Sequence, residues 1–340
     1  MALFNFRRKP EPEVTAAPNA APVTAAVEAL LQGYSMEVMP RTAEKVADFR
    51  HLMPRGTRVY IAHIEGTPIA DMVATAARLR REGFDPMPHF PARIIDSRAT
   101  LADWLARYKG EAGVEQALLL GGGVNTPAGE FNASMQLIET GLFDGFKRLH
   151  VAGHPEGNKD IDKGGGDAIV MQALKWKQAF SERSDAQMAI TTQFCFEAAP
   201  VIAWADRLAA EGIKLPIHIG VAGPAKLQTL LKFAIACGVG PSLRVLQKRA
   251  MDVTKLLLPY APDDLVSALA AHKAANPGFG IESVHFFPLG GIKTNADWAI
   301  RNGGAAATPA ADNRFAQAIT GPASKQNCVA IAIFASERSA

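Results

Sequence analysis

Glu37 stands inside an apolar run, between Met36 and Val38 in the segment YSMEVM. A carboxylate there is poorly solvated, and its pKa rises toward the range useful to a general acid near neutral pH. The plainer reading is an ion pair with Arg41 or another arginine. His63, His89 and His154 each close an apolar run just before a turn. No two of them sit at i, i+4 and no cysteine cluster joins them, so neutral imidazoles bonding a ligand are favoured over zinc, and no metal is expected. His63 also suits a simple bond to a backbone carbonyl. Glu156 and Asn158 follow His154 in GHPEGN, and Gln193 closes the run ITTQ. The glycine runs at 121–123 and 164–166 permit close backbone approach. The second leads into a helix whose first amides would favour a phosphate, unless it is merely a loose loop. Neither run spells a P-loop or a GxGxxG fingerprint. Lys175 and Lys177 either reach a phosphate or face solvent. Trp176, Phe180, Trp204 and Phe233 read first as helix packing, and Cys195 as an inert thiol.

These residues need a scaffold that gathers strand ends. From residue 34 the chain alternates between short β-type runs and segments of helical period. The runs are Tyr34–Met39, Arg58–Ile64, Asp85–Phe90, Glu115–Leu120, Arg148–His154, Gln187–Phe194, Pro216–Val221 and Ser283–Leu289. Helical stretches include Ile69–Arg81, Leu101–Arg107, Ala168–Arg183, Pro200–Glu211 and Lys226–Cys237. Repeated βα units imply an α/β protein with a parallel sheet. Eight of them favour a closed (β/α)8 TIM barrel over an open doubly wound sheet. The expected organisation is an arm over 1–27, a barrel over 28–325 with a helical insertion near 242–275, and a tail over 326–340. In such a barrel chemistry sits at the C-terminal strand ends. Glu37, His63, Glu65, His89, Gly121, Gly122, Gly123, Asn125, His154, Glu156, Asn158, Gln193, Gly220, Gly223 and the stretch 288–291 all fall on that rim.

Composition excludes more than it selects. Of 340 residues, 48% are hydrophobic and 20% charged, with a net charge of +3, which fits an ordinary globular chain. The basic residues form no stripe with interleaved aromatics, so no nucleic acid is expected. No apolar run would span a bilayer, so no membrane partner is expected. Three cysteines without a CxxC spacing suit a reducing cytoplasm. The Ala/Pro-rich start reads as a flexible arm and not as a signal peptide.

In order along the chain, YSMEVMPRT, MPHF, VAGHPEGN, ITTQFCFEA, IGVAGPAKLQTLLKFA and VHFFPL resemble the rim segments of the methylenetetrahydrofolate reductase family, from about Tyr34 to Ala299. The resemblance implies an oxidoreductase interconverting 5,10-methylenetetrahydrofolate and 5-methyltetrahydrofolate, with FAD as cofactor and NADH or NADPH as co-substrate. That is a role in one-carbon metabolism and methionine biosynthesis. It implies Glu37 as the acid that protonates N10 of the folate. It implies flavin contacts at His89, His154, Glu156, Asn158, Lys177, Gly121 and Gly122, and folate contacts at Gln193, Phe233 and Asn125. It further implies the compact bacterial-type enzyme without a C-terminal regulatory domain, and leaves a homo-oligomer open. The chain departs from the family in LLLGGGVNTPAG, where Gly123 replaces an aspartate that Asn125 or Glu65 would have to replace. The alternatives are a folate-dependent methyltransferase on a similar barrel and a non-catalytic folate- or flavin-binding barrel.

Overall fold

The computed structural model describes residues 24–237, 244–247 and 259–305. Eight parallel strands close into a barrel in sequence order: β1 (Ser35–Val38), β2 (Arg58–Ile61), β3 (Asp85–Pro91), β4 (Gln116–Leu120), β5 (Arg148–Gly153), β6 (Gln187–Cys195), β7 (Ile217–Ala222) and β8 (Ile281–Phe287). β8 returns to β1 through Ser35 opposite His285 and Met36 opposite Phe286. The helices are α1 (Ala25–Leu31), α2 (Pro40–Ala43), α3 (Ile69–Arg81), α4 (Arg98–Ala112), α5 (Ser134–Glu139), α6 (Ala168–Ser181), α7 (Ala198–Ala210), α8 (Leu227–Ala236), α9 (Asp263–Ala275) and α10 (Ile292–Arg301). This is a (β/α)8 TIM barrel, and each β-type run of the sequence contributes one of its strands.

The strands are buried on both faces, so they read as nearly continuous apolar runs. Their alternation still sorts two populations. Met36, Val38, Val59, Ile61, Leu119, Val151, Ile190, Ile219 and Phe286 point outward and pack against the helix ring. Tyr60, Ala62, Met87, Leu118, Leu120, Ala152, Ala222 and Phe287 point into the bore as a separate cluster.

One sequence boundary shifts. Of the expected arm over 1–27, residues 1–23 lie outside the described residues, and the Thr24 hydroxyl accepts the Val27 amide at 3.3 Å and starts α1, whose Val27, Leu30 and Leu31 are buried. Burying that apolar face outweighs the freedom of an arm. Part of the insertion near 242–275 lies outside the described residues. Its last part is α9, which packs on α1 and α7 within the outer ring. The stretches 306–325 and 326–340 lie outside the described residues. Among the described residues, no helix is long and apolar enough to cross a membrane.

Candidate functional site

Glu37 lies in the bore near the C-terminal end of β1 and is only 2% exposed. Arg41, the partner of the plainer reading, is exposed. The neighbours of Glu37 are two imidazoles instead. His89 Nε2 stands 3.5 Å and His285 Nε2 3.6 Å from Glu37 Oε2, and neither carboxyl oxygen has a hydrogen bond. Burial lifts the Glu37 pKa well above the ordinary carboxylate range. The same burial, with His63 nearby, pushes His89 down to about 3, and burial holds His285 well below its usual value. Burial therefore disfavours the charged form of all three groups, holding the proton on the carboxyl more tightly and keeping it off the two rings. His285 Nδ1 is 3.0 Å from the Ser35 hydroxyl. If that nitrogen accepts, the ring proton sits on Nε2 and faces the carboxyl.

Sequence reasoning missed His285, and with it His150 and His218. Each lies on a strand already recognised, and strand parity was the available signal. His150 shares a face with His154, His218 with Gly220, and His285 with Phe287.

A cavity of about 290 Å³ opens on the rim at the ends of β5 and β6 and beside the end of α8, lined by His154, Glu156, Asn158, Gln193, Phe194, Cys195, Ile235 and Cys237 among others. Its floor depends on a β-bulge: the register of β6 against β7 shifts between Thr191 and Phe194. There the Thr192 hydroxyl accepts the Gly220 amide at 2.8 Å, and Gln193 Oε1 accepts the Phe194 amide at 3.0 Å. Gln193 Nε2 stays buried with no hydrogen bond, a donor without an acceptor at the cavity wall. The Cys195 thiol is buried, its pKa raised by burial, and it donates to the Gly220 carbonyl at 3.3 Å, as an inert thiol would.

The remaining rim residues divide. Asn158 Oδ1 accepts the amides of Asp160 and Ile161 at 2.9 and 3.3 Å, so its carbonyl oxygen shapes the turn. His63 Nε2 lies 3.1 Å from the Thr67 carbonyl and its ring packs on Trp104, the plainer of its two readings. Gly122 adopts a φ of 97°, with Pro91 packed where a β-carbon would sit. The loop it opens is tied down by Arg93, which is 1% exposed and bonds Asn132 and the Val124 carbonyl. Asn125 and Glu65 are exposed, so neither supplies a buried carboxylate or amide in place of the aspartate that Gly123 lacks. Phe233 is half-buried on α8 against the bore cluster.

The phosphate expectation at 164–166 is not met. Asp162, 5% exposed, accepts the Ile169 and Val170 amides at 2.9 and 3.2 Å and so fills the N-terminus of α6 with the protein's own carboxylate. Lys177 is fully buried and does not line the cavity, while Lys175 pairs with Glu211 at 2.6 Å on the surface. Asp162→Ala should cost about 1–2 kcal/mol. The urea midpoint checks this, and an unchanged midpoint would mean that the amides find other partners.

The buried rings also set a pH dependence. His63, held at about 4, and His89, at about 3, bind protons less readily folded than unfolded, where the ordinary value is 6.5. Their stabilising contribution is complete above pH 6.5 and is lost as the pH falls toward 4 and 3. Glu37 has the opposite sign: its raised pKa favours the folded state most at low pH, and that advantage fades as the pH rises. With His150, His218 and His285 also depressed, the histidines prevail. The urea midpoint should fall between pH 7 and pH 5, and His89→Gln should flatten the slope.

No protein-family model matches the chain. Among solved structures, an uncharacterized protein from Clostridium thermocellum that binds two copies of 5-methyl-5,6,7,8-tetrahydrofolic acid superposes with a TM-score of 0.52. The match covers 80% of this chain and 95% of that one at 10% identity. The likeness is one of fold. The carboxyl transferase domain of Rhizobium etli pyruvate carboxylase matches at a TM-score of 0.38 and 11% identity, over 89% of this chain and 56% of that one. An intracellular xylanase from Thermoanaerobacterium saccharolyticum matches at 0.35 and 13%, over 80% and 90%. Among the described residues, no group of three His, Cys, Asp or Glu side chains is arranged to hold a metal ion.

Proposed function

We propose that this barrel binds a reduced folate at the mouth beside Glu37 and interconverts its methylene and methyl forms as an oxidoreductase. The observation that carries the reading is Glu37 itself, a buried carboxyl whose proton burial holds more tightly than usual and which is paired with no cation. An acid of raised pKa suits proton donation to a weakly basic nitrogen, and N10 of the folate is such an atom. After donation the Nε2 atoms of His89 and His285 face the new carboxylate from 3.5 and 3.6 Å, and ring protons there would solvate it. The folate-binding barrel of similar fold and the six rim segments of the sequence lend support from outside the site.

The residues present fit a flavin ring. The buried Gln193 Nε2, which makes no hydrogen bond, offers a donor to a ring carbonyl, and His154 and Glu156 line the same cavity. FAD held there would supply the hydride, with NADH or NADPH as its source. Gln193 and His154 would hold and orient the ring. Asp162 directs any phosphates away from the N-terminus of α6.

Absorbance spectroscopy tests the reading. Purified protein should be yellow, bleach with NADH or NADPH, and regain colour with 5,10-methylenetetrahydrofolate. Colourless protein that takes up no FAD would remove the flavin. Tight 5-methyltetrahydrofolate binding without hydride transfer would turn the reading toward a methyltransferase or a binding protein.

A further inference from the structure

The bore below Glu37 is not filled as a TIM barrel usually is. Branched aliphatic side chains normally pack its layers. Here the buried side chains beneath the acid include Ser35, Tyr60, His150, Thr191, His218, Ser283 and His285. Polar groups in such a place are costly unless bonded, and these are bonded to one another. The His285 Nδ1 atom meets the Ser35 hydroxyl at 3.0 Å, and the Ser35 hydroxyl lies close enough to the Tyr60 phenol to lower its pKa slightly, against the larger rise from burial. Tyr60 Oη lies 2.6 Å from His150 Nδ1, and both atoms lie 3.1 Å from the Thr191 hydroxyl. The His150 and His218 rings meet edge to face with centroids 4.6 Å apart. His218 Nδ1 bonds Ser283 at 3.0 Å, and its Nε2 bonds Glu282 at 2.9 Å. Glu282 is 58% exposed at the N-terminal end of β8, the face opposite the cavity.

We propose that this column is a proton path, carrying to Glu37 through His218, His150, Tyr60, Ser35 and His285 a proton taken from solvent by Glu282. The idea deepens the proposed function, since it rests on Glu37 acting as the acid. Both Glu37 oxygens are sealed from solvent even before a folate covers the mouth, so a proton given to substrate needs another way back. Each group in the column can both accept and donate, the imidazoles at two different nitrogens and the hydroxyls at one oxygen. The histidines are held neutral by burial, with Arg58 and Arg148 disfavouring a resting charge at the lower end, and a neutral imidazole both donates and accepts. One passage adds one proton to the Glu37 carboxylate and removes one from solvent at Glu282. It breaks and forms only N–H and O–H bonds and leaves the intervening histidines in their other tautomers. Three steps are not made by a direct hydrogen bond, Glu37 to His285, Ser35 to Tyr60 and His150 to His218, and each needs a small side-chain movement or one bridging water.

Infrared spectroscopy of the apo protein tests this without assuming a substrate. The protonated-carboxyl band of Glu37 is the one missing from Glu37→Gln, and its shift on transfer to deuterium oxide reports the rate of proton exchange. Tyr60→Phe keeps the ring but cuts the column in the middle, and should slow that exchange about tenfold or more. Glu282→Gln alters only the half-exposed entrance, folds regardless, and should slow it severalfold. A Glu37 band that exchanges at the wild-type rate in both variants would overturn the path while leaving the acid intact. Absence of any such band would overturn the acid reading and the path with it.

Discussion

Glu37→Gln is expected to lower folate turnover by about 10²–10⁴-fold while leaving reduction of bound flavin by NADH or NADPH unchanged. The split follows from the geometry. The glutamine amide keeps the size and the burial of the carboxyl, so the two histidines and the bore around it should stay in place. What is lost is the carboxyl proton that burial holds more tightly than usual. A variant that retained wild-type folate turnover would remove Glu37 from the reaction. One that lost flavin reduction as well would assign it to cofactor binding. Stopped-flow measurement of each half-reaction separates the outcomes.

Gly220→Ala should destabilise the fold by roughly 3 kcal/mol, the upper part of the usual range for forced overpacking. A β-carbon at this position would lie 2.4 Å from the Thr192 carbonyl oxygen and 2.5 Å from that of Gln193. Both are backbone atoms on the neighbouring strand, so no rotamer change relieves the contact. The strands must part at the bulge that sets Gln193 at the cavity wall, and ligand affinity should fall together with stability. Urea unfolding and folate or flavin titration of the same variant provide the check. A native urea midpoint would mean that the bulge is softer than the packing indicates.

Most of the scaffold was legible because a parallel barrel writes each strand as a short apolar run closed by a turn. Ile69–Arg81 is a helix over the whole span its periodicity marks. The short α5 and the polar α10 were not legible. Residues 134–139 are too few to show a period, and KTNADW hides the buried Asn295, Ala296 and Trp298 among polar neighbours. Glu37 was visible as a charge out of place, but its partners were not. Nothing in SVHFFPL or RLHVAGH says that residues 248 and 113 positions away will face it or one another. Only closing β8 onto β1 brings His285 to Glu37. The glycine run at 164–166 misled because a helix terminus attracts an anion whatever its source, and Asp162, two residues before the run, meets that demand.

The polar filling of the bore also bears on how stability responds to temperature. Unfolding a barrel with an aliphatic centre exposes apolar surface from both its layers, and apolar exposure raises the heat capacity of the unfolded chain. Here only the outer layer does so fully, because the rings and hydroxyls beneath Glu37 become hydrated polar surface, which lowers it. The heat-capacity change per residue should therefore be smaller than for an aliphatic-centred barrel of the same length. The stability curve would then be broader and flatter, a property of the whole molecule set by a few side chains in its bore.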